Sequence, residues 1–132
     1  MTGPTMIPAL LYKNAAAAVA QLKDAFGFAE HARYDAEDGS VLHAELTYGR
    51  GMVMLGSASG EGAFGRAMAG GGPAAVYVVV DDPDAHCERA RTAGAEILTP
   101  PTDQDYGARD YLARDREGNL WSFGTYRPEL QD

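Results

Sequence analysis

The apolar positions along the chain change period in a fixed order. "MIPALLY" (6–12) is an apolar run of strand length. "AAAAVAQLKDAF" (15–26) then places Ala15, Val19, Leu22 and Phe26 on one helical face. Asn14 precedes that helix as its cap, and Gly27 follows it as a left-handed stop. Segment 29–34 predicts a weak strand and "AEDGS" a turn. "VLHAELTY" and "GMVML" read as a hairpin across Gly-Arg-Gly. The same order of periods then recurs. "AAVYVVV" (74–80) is a β-branched strand. Asp81 or Asp82 caps a second helix that carries Pro83 in its first turn, runs through "DAHCERARTA" and ends at Gly94. "AEILTP" is a strand, and "DYLA" and "LWSFGTY" flank the turn "RDREGN" as a second hairpin.

Three landmarks share one spacing. The helix-ending glycines 27 and 94, the caps 14 and 81, and the hairpin glycines 51 and 118 are each 67 residues apart. The 132 residues therefore read as one α+β domain, 1–132, built from two βαβββ modules at about 6–56 and 74–126. The Gly- and Ala-rich segment 57–73 between them reads as a flexible linker or lid. Each module has one sheet face for its helix and one left bare. Two bare faces set around a shared cavity predict a curved mixed-sheet cleft.

Strand alternation assigns side chains to that cleft. Leu120, Ser122 and Gly124 take one face of the last strand, and Trp121 and Phe123 take the core face. A bulged turn pairs Leu112 with Ser122, which puts Asp110, Leu112 and Arg114 on the cleft side. The 67-residue spacing transfers this face to His43, Glu45 and Thr47, leaving 42, 44 and 46 for the helix. Ala75, Tyr77 and Val79 join the cleft from the first strand of module two. His43 and Glu45 are expected near Tyr77 and Ser122. Two residues apart on one strand, about 7 Å, they read either as an acid/base pair or as a solvated strand face. Tyr77 reads as a stacking residue or as core. Tyr106 sits at a loop mouth. Asp110 and Arg114 read as a rim ion pair or a substrate clamp. His31 and His86 read as surface positions, and Cys87 as an inert buried thiol.

Charge and composition narrow the partners. A net charge of −8, from 19 acidic against 11 basic residues, disfavours nucleic acid and anionic membrane surfaces. A single cysteine leaves no intrachain disulfide, which fits a reducing cytoplasm. No secretory signal and no apolar run of spanning length is visible, so the expected location is the cytoplasm. No nucleophile triad, phosphate-binding loop or paired zinc motif occurs.

"AFGF", "VYVVVDDPDAHCERARTAGAEI" and "YGARDYLARDREGNLWSFGTY" together resemble the vicinal oxygen chelate superfamily, which holds glyoxalases, extradiol dioxygenases and bleomycin-resistance proteins. The resemblance covers about residues 6–126 and implies the paired-module fold. In metal-bearing members each half is expected to give one ligand from its first strand and one from its last. The last-strand position, four residues past the turn glycine, falls on Leu55 and Ser122, and the first-strand position falls near Ile7–Ala9 and near Ala75. None is His, Asp, Glu or Cys, so no metal and no other cofactor is expected. The leading expectation is a metal-independent small-molecule binding cleft, like that of the drug-sequestering members of the superfamily, for antibiotic or metabolite sequestration. The resemblance implies a homodimer, and the ligand contacts expected from the strand faces, the loop mouth and the last-strand positions are Tyr77, Asp110, Leu112, Arg114, Ser122, Tyr106 and Leu55. The alternatives are a lyase, isomerase or dioxygenase that uses His43 and Glu45 or a displaced metal site, and a domain that acts through protein contacts alone.

Overall fold

The computed structural model describes residues 3–129. The first module runs β1 (Ala9–Tyr12), α1 (Ala15–Asp24), β2 (Ala29–Asp35), β3 (Val41–Tyr48) and β4 (Gly51–Ser57). A short helix, α2 (Gly62–Met68), lies in the connection. The second module runs β5 (Ala75–Val79), α3 (Pro83–Thr92), β6 (Glu96–Asp103), β7 (Arg109–Arg114) and β8 (Leu120–Gly124). Each module is a four-stranded mixed sheet, in the orders β1-β4-β3-β2 and β5-β8-β7-β6. The first strand of each runs parallel to the last, and the other neighbours are antiparallel. The fold is α+β with two open sheets, as the hydrophobic periods predict. The connection is more structured than its glycine content suggested, because it folds α2.

Local chemistry sets the helix ends. The Asn14 side chain accepts from the Ala17 amide at 3.1 Å. Asp82, and not Asp81, caps α3 by accepting from the Ala85 amide at 3.1 Å, with Pro83 as the first helical residue. Gly27 and Gly94 follow the two helices with φ of +80° and +89°, a region that L side chains adopt only with strain.

The repeat is real, but its spacing slips by one residue in two places. The first hairpin turns through Gly49 and Arg50, with Gly49 at φ +56° and Gly51 already in β4. The second needs five residues, 115–119, between Arg114 and Leu120, with Gly118 at φ +95°. Glu45 therefore pairs with Met54, where Leu112 pairs with Ser122. The counterpart of Ser122 is Met54, and Leu55 points the other way. The second slip lies at the helix ends. Two residues stand between α1 and Gly27, but only Ala93 stands between α3 and Gly94. Phe26 fills the longer connection.

Both modules bury their helix-bearing faces in one shared core. Leu10, Tyr12, Val19, Leu22, Phe26, Leu46 and Leu55 from the first meet Val80, Tyr111, Trp121 and Phe123 from the second. The Phe26 ring lies 5.1 Å from Phe123 and 6.1 Å from Trp121, and Phe28 meets Trp121 edge-on at 5.6 Å. Polar ties join the same faces. Tyr12 Oη donates to Asp115 at 2.7 Å, and the Glu117 carboxylate accepts from the Lys13 and Asn14 amides at 2.6 and 2.8 Å. Arg89 of α3 donates to the Lys23 and Asp24 carbonyls at the end of α1.

This arrangement corrects the shared-cavity expectation. The faces that meet are those covered by helices, and the two bare faces look outward from the shared core. The physical reason is apolar area: the fully buried rings of Phe26, Tyr111, Trp121 and Phe123 lie on the helix side, while the bare faces carry His43, Glu45, Asp110 and Ser122, which keep contact with water. One helix-face assignment also changes. A register shift in the β2–β3 pairing separates Tyr34↔His43 from Asp35↔Val41. Val41 takes the core place at 1% exposure, and Leu42 is left 67% exposed.

Candidate ligand-binding faces

The outward face of the first sheet carries a hollow of about 320 Å³. Ala9, Leu11, Leu42, His43 and Met54 line its floor and side, and Phe64 of α2 leans over it. No described residue of α2 is buried, so the helix presents this ring on a solvent-facing segment. His43 Nε2 lies 2.9 Å from one Glu45 carboxylate oxygen, and His31 Nε2 lies 3.8 Å from the other. The Tyr34 ring stacks beside His43, centroids 6.3 Å apart. The hollow joins an apolar floor to an imidazole–carboxylate pair that can exchange a proton with a bound group.

The outward face of the second sheet is built from tyrosines. Tyr77 and Leu112 flank Ser122 as its cross-strand partners. Tyr77 Oη donates to the Tyr126 carbonyl at 2.7 Å, and burial raises its phenol pKa above the ordinary value. Tyr106 and Tyr126 meet edge-to-face at 6.0 Å. The Asp110 carboxylate accepts from Gln104 Nε2 at 2.9 Å and from Tyr106 Oη at 3.4 Å. Gly124 leaves the room this needs: a Cβ there would lie 2.7 Å from Asp110 Cβ and 2.9 Å from Tyr77 Oη.

The structure places His43, Glu45, Tyr77, Asp110, Leu112 and Ser122 on outward faces, with Tyr106 at the rim of the second. It does not bring them together. His43 and Glu45 belong to the first sheet, and Tyr77 and Ser122 to the second. Among the described residues, every side-chain hydrogen bond and ring contact between modules lies on the core side. Leu55 is 3% exposed and packs in the core. Arg114 pairs with Glu96 at 2.9 Å, its cross-strand neighbour, and makes no ion pair with Asp110. His86 is not a surface residue. Its Nε2 donates to the Phe26 carbonyl at 2.8 Å, which leaves Nδ1 to accept from Tyr111 Oη. Burial holds its pKa below the ordinary value, with a smaller push from Arg89. Phe64 was missed as well, because a lone aromatic in a glycine-rich segment has no period to read.

The resemblance assigns four metal positions, and the strand pairing places them on Ala9, Met54, Tyr77 and Ser122. Alanine offers no donor, methionine a soft thioether, and tyrosine and serine neutral hydroxyls. That donor set does not fit a divalent cation. Among the described residues no other group of three His, Cys, Asp or Glu side chains is arranged to hold one.

Residues 7–123 match the model of the Glyoxalase/Bleomycin resistance protein/Dioxygenase superfamily, and the chain belongs to this family. It is 34% identical over 125 residues to an uncharacterised protein of Mycobacterium tuberculosis, covering 92% of this chain and 74% of that one. Among solved structures it is similar to TioX from Micromonospora sp. ML1, with 38% identity, a TM-score of 0.81, and coverage of 92% of this chain and 98% of TioX. A family enzyme from Burkholderia phytofirmans shares the fold at a TM-score of 0.71 and 18% identity, over 88% of this chain and 93% of its own. No helix among the described residues is long and apolar enough to cross a membrane.

Proposed function

We propose that the protein is a metal-independent small-molecule binder that holds its ligand between the outward faces of two copies. The observation that carries this is where the large apolar side chains stay in water. Tyr34, Leu42 and Phe64 border the first outward face, and Tyr77, Tyr106 and Tyr126 the second, each 42–67% exposed. A chain that leaves such large apolar side chains uncovered on two faces has partners for them. The first module of one copy facing the second module of another sets the apolar hollow opposite the tyrosine wall. A planar ligand fits between them, stacked on phenol rings and hydrogen-bonded by Ser122, Asp110 or His43. The acidic surface favours neutral or cationic ligands.

The test has three readouts on protein purified without chelator. Light scattering is expected to give twice the chain mass, and elemental analysis no stoichiometric metal. Planar aromatic compounds are expected to raise the melting temperature with concentration. A monomer with one equivalent of zinc, nickel, manganese or iron would sink the proposal.

A second reading rests on the 2.9 Å contact of His43 with Glu45. A carboxylate-oriented imidazole on an open face is a general base in form, and the reading is then a lyase or isomerase. His43→Ala distinguishes them. Binding alone weakens by about 1–3 kcal/mol when a buried partner is left unpaired. Loss of a general base lowers turnover by about 100-fold or more.

A further inference from the structure

A further hollow lies between the modules. It is a groove of about 430 Å³ along the seam between modules, where the β3–β4 hairpin of the first meets β5 of the second. Phe28, Tyr48, Val53 and Val78 make its walls apolar. Arg50, from the hairpin turn, and Arg127, past β8, both line it. Arg33, Arg91, Arg109 and Arg114 each hold a carboxylate within 4.0 Å. Among the described residues Arg50 and Arg127, like Arg66 and Arg116, form no ion pair and no hydrogen bond from their side chains, in a protein where acidic residues outnumber basic ones by 19 to 11, and of these four only Arg50 and Arg127 line the groove. Asp81 also borders the groove and is not within ion-pair distance of either arginine.

A third feature faces the same space. β5 is an edge strand. Its even-numbered residues bond to β8, as in Leu120 N–H to the Ala74 carbonyl and Val80 N–H to the Gly124 carbonyl. By strand alternation the amides and carbonyls of Ala75, Tyr77 and Val79 lie along the free edge. Two uncommitted guanidinium groups, apolar walls and a strip of free peptide groups converge on one groove of ligand size.

We infer that the seam groove binds a small carboxylate that has an apolar body and an internal amide, its carboxylate on Arg50 and Arg127 and its amide on the edge of β5. This inference does not rest on the outward-face reading, because the groove lies within one chain and uses neither His43 nor Ser122. Charge decides the ligand class. A neutral aromatic compound would gain the walls but leave both arginines unused, and a cation would be repelled by them.

The probe is N-benzoylphenylalanine, an aryl amide with one carboxylate, titrated calorimetrically into the full chain. Wild type is expected to bind it, more weakly as salt is raised. Its methyl ester is expected to bind at least about tenfold more weakly, the least that one charge-assisted hydrogen bond supplies. Arg50→Gln with Arg127→Gln is expected to lose the same factor for the acid and nothing for the ester, and His43→Ala is expected to bind as wild type does. No binding by wild type at millimolar probe, equal binding of acid and ester, or undiminished binding by the double variant would overturn the inference. So would a double variant that changes the mass in light scattering and not the affinity, because the arginines would then serve contact between copies.

Discussion

The two modules share a topology and differ where they are used. The first turns its hairpin through two residues, Gly49 and Arg50. The second turns through five, and Asp115 and Glu117 in that longer turn dock onto Tyr12 and the start of α1. In return the first module's longer helix connection delivers Phe26 to the second module's Trp121 and Phe123. Counted between the equivalent pairs Thr47↔Met52 and Arg114↔Leu120, the second module's turn is longer by one residue, five against four, as the first module's helix connection is by one, and each extra residue serves the other module. The outward faces diverge the other way, apolar with His43–Glu45 on the first and tyrosine-rich with Asp110 on the second. The shared topology is the frame. The single-residue differences join the modules through one core, and the faces free of mutual packing carry different chemistry.

The largest test of that interlock is Trp121→Ala. Trp121 is fully buried, stacks near Phe123, meets Phe26 and Phe28, and donates its indole N–H to Asp115 at 3.0 Å. The loss is expected to be about 3–5 kcal/mol in denaturant unfolding. The transition is expected to stay single for both modules. Two separated transitions would mean that the modules fold independently and that the shared core is a weak contact.

Asp115→Asn probes the polar half of the same joint. One carboxylate oxygen accepts from Tyr12, Asn119 and Trp121, and the other from the Glu117 and Asn119 amides. An amide keeps the shape but turns its NH₂ toward one of those donor sets. With a buried donor facing a donor, about 2–4 kcal/mol is expected to be lost. A loss within about 0.5 kcal/mol, the usual range of a surface change, would show that the turn docks through packing alone.

His86→Gln reads the joint from the α3 side, through pH. The folded-state pKa of His86 lies below its unfolded value, chiefly because burial disfavours the imidazolium. Below about 6.5, the ordinary histidine value, the unfolded chain therefore binds this proton first. The stability that His86 contributes is complete above that pH and is lost as pH falls toward the folded pKa. Between pH 7.5 and 5 the melting temperature of wild type is expected to fall more steeply than that of the variant. Parallel curves would show that the imidazole is not held neutral between Phe26 and Tyr111.

Much of this was legible in the sequence. The change from strand to helical period fixed both modules. Asn14 and the Asp81–Asp82 pair marked the helix starts, and the bulged second turn gave the Leu112–Ser122 pairing and the buried Trp121. Two things were not legible. A constant spacing of 67 cannot detect a one-residue slip when Gly49 and Gly51 both flank Arg50, so it points to Leu55 where the strand pairing has Met54. Nor does alternation say which faces of two sheets will meet. That depends on which pairing buries more aromatic area, and Phe26, Trp121 and Phe123 decide it across about 95 residues of sequence. The buried place of His86 is not legible for the same reason, since both its partners are distant in the chain.

The smallest expected effect on stability belongs to the outward face of the first module. Leu42 and Phe64 are 67% and 52% exposed, so replacing both with serine removes little that folding buried. Unfolding is expected to shift by no more than about 0.5 kcal/mol for each exposed site. Association depends on them differently. If these side chains meet the tyrosine wall of a second copy, their apolar area leaves water only in the dimer. The double variant Leu42→Ser with Phe64→Ser is then expected to raise the dimer dissociation constant by about tenfold or more in light scattering across a dilution series. That factor matches about 1.4 kcal/mol, or roughly 55 Å² of apolar surface at about 25 cal/mol per Å². An unchanged dissociation constant would place the contact between copies elsewhere and leave this hollow to a ligand within a single chain.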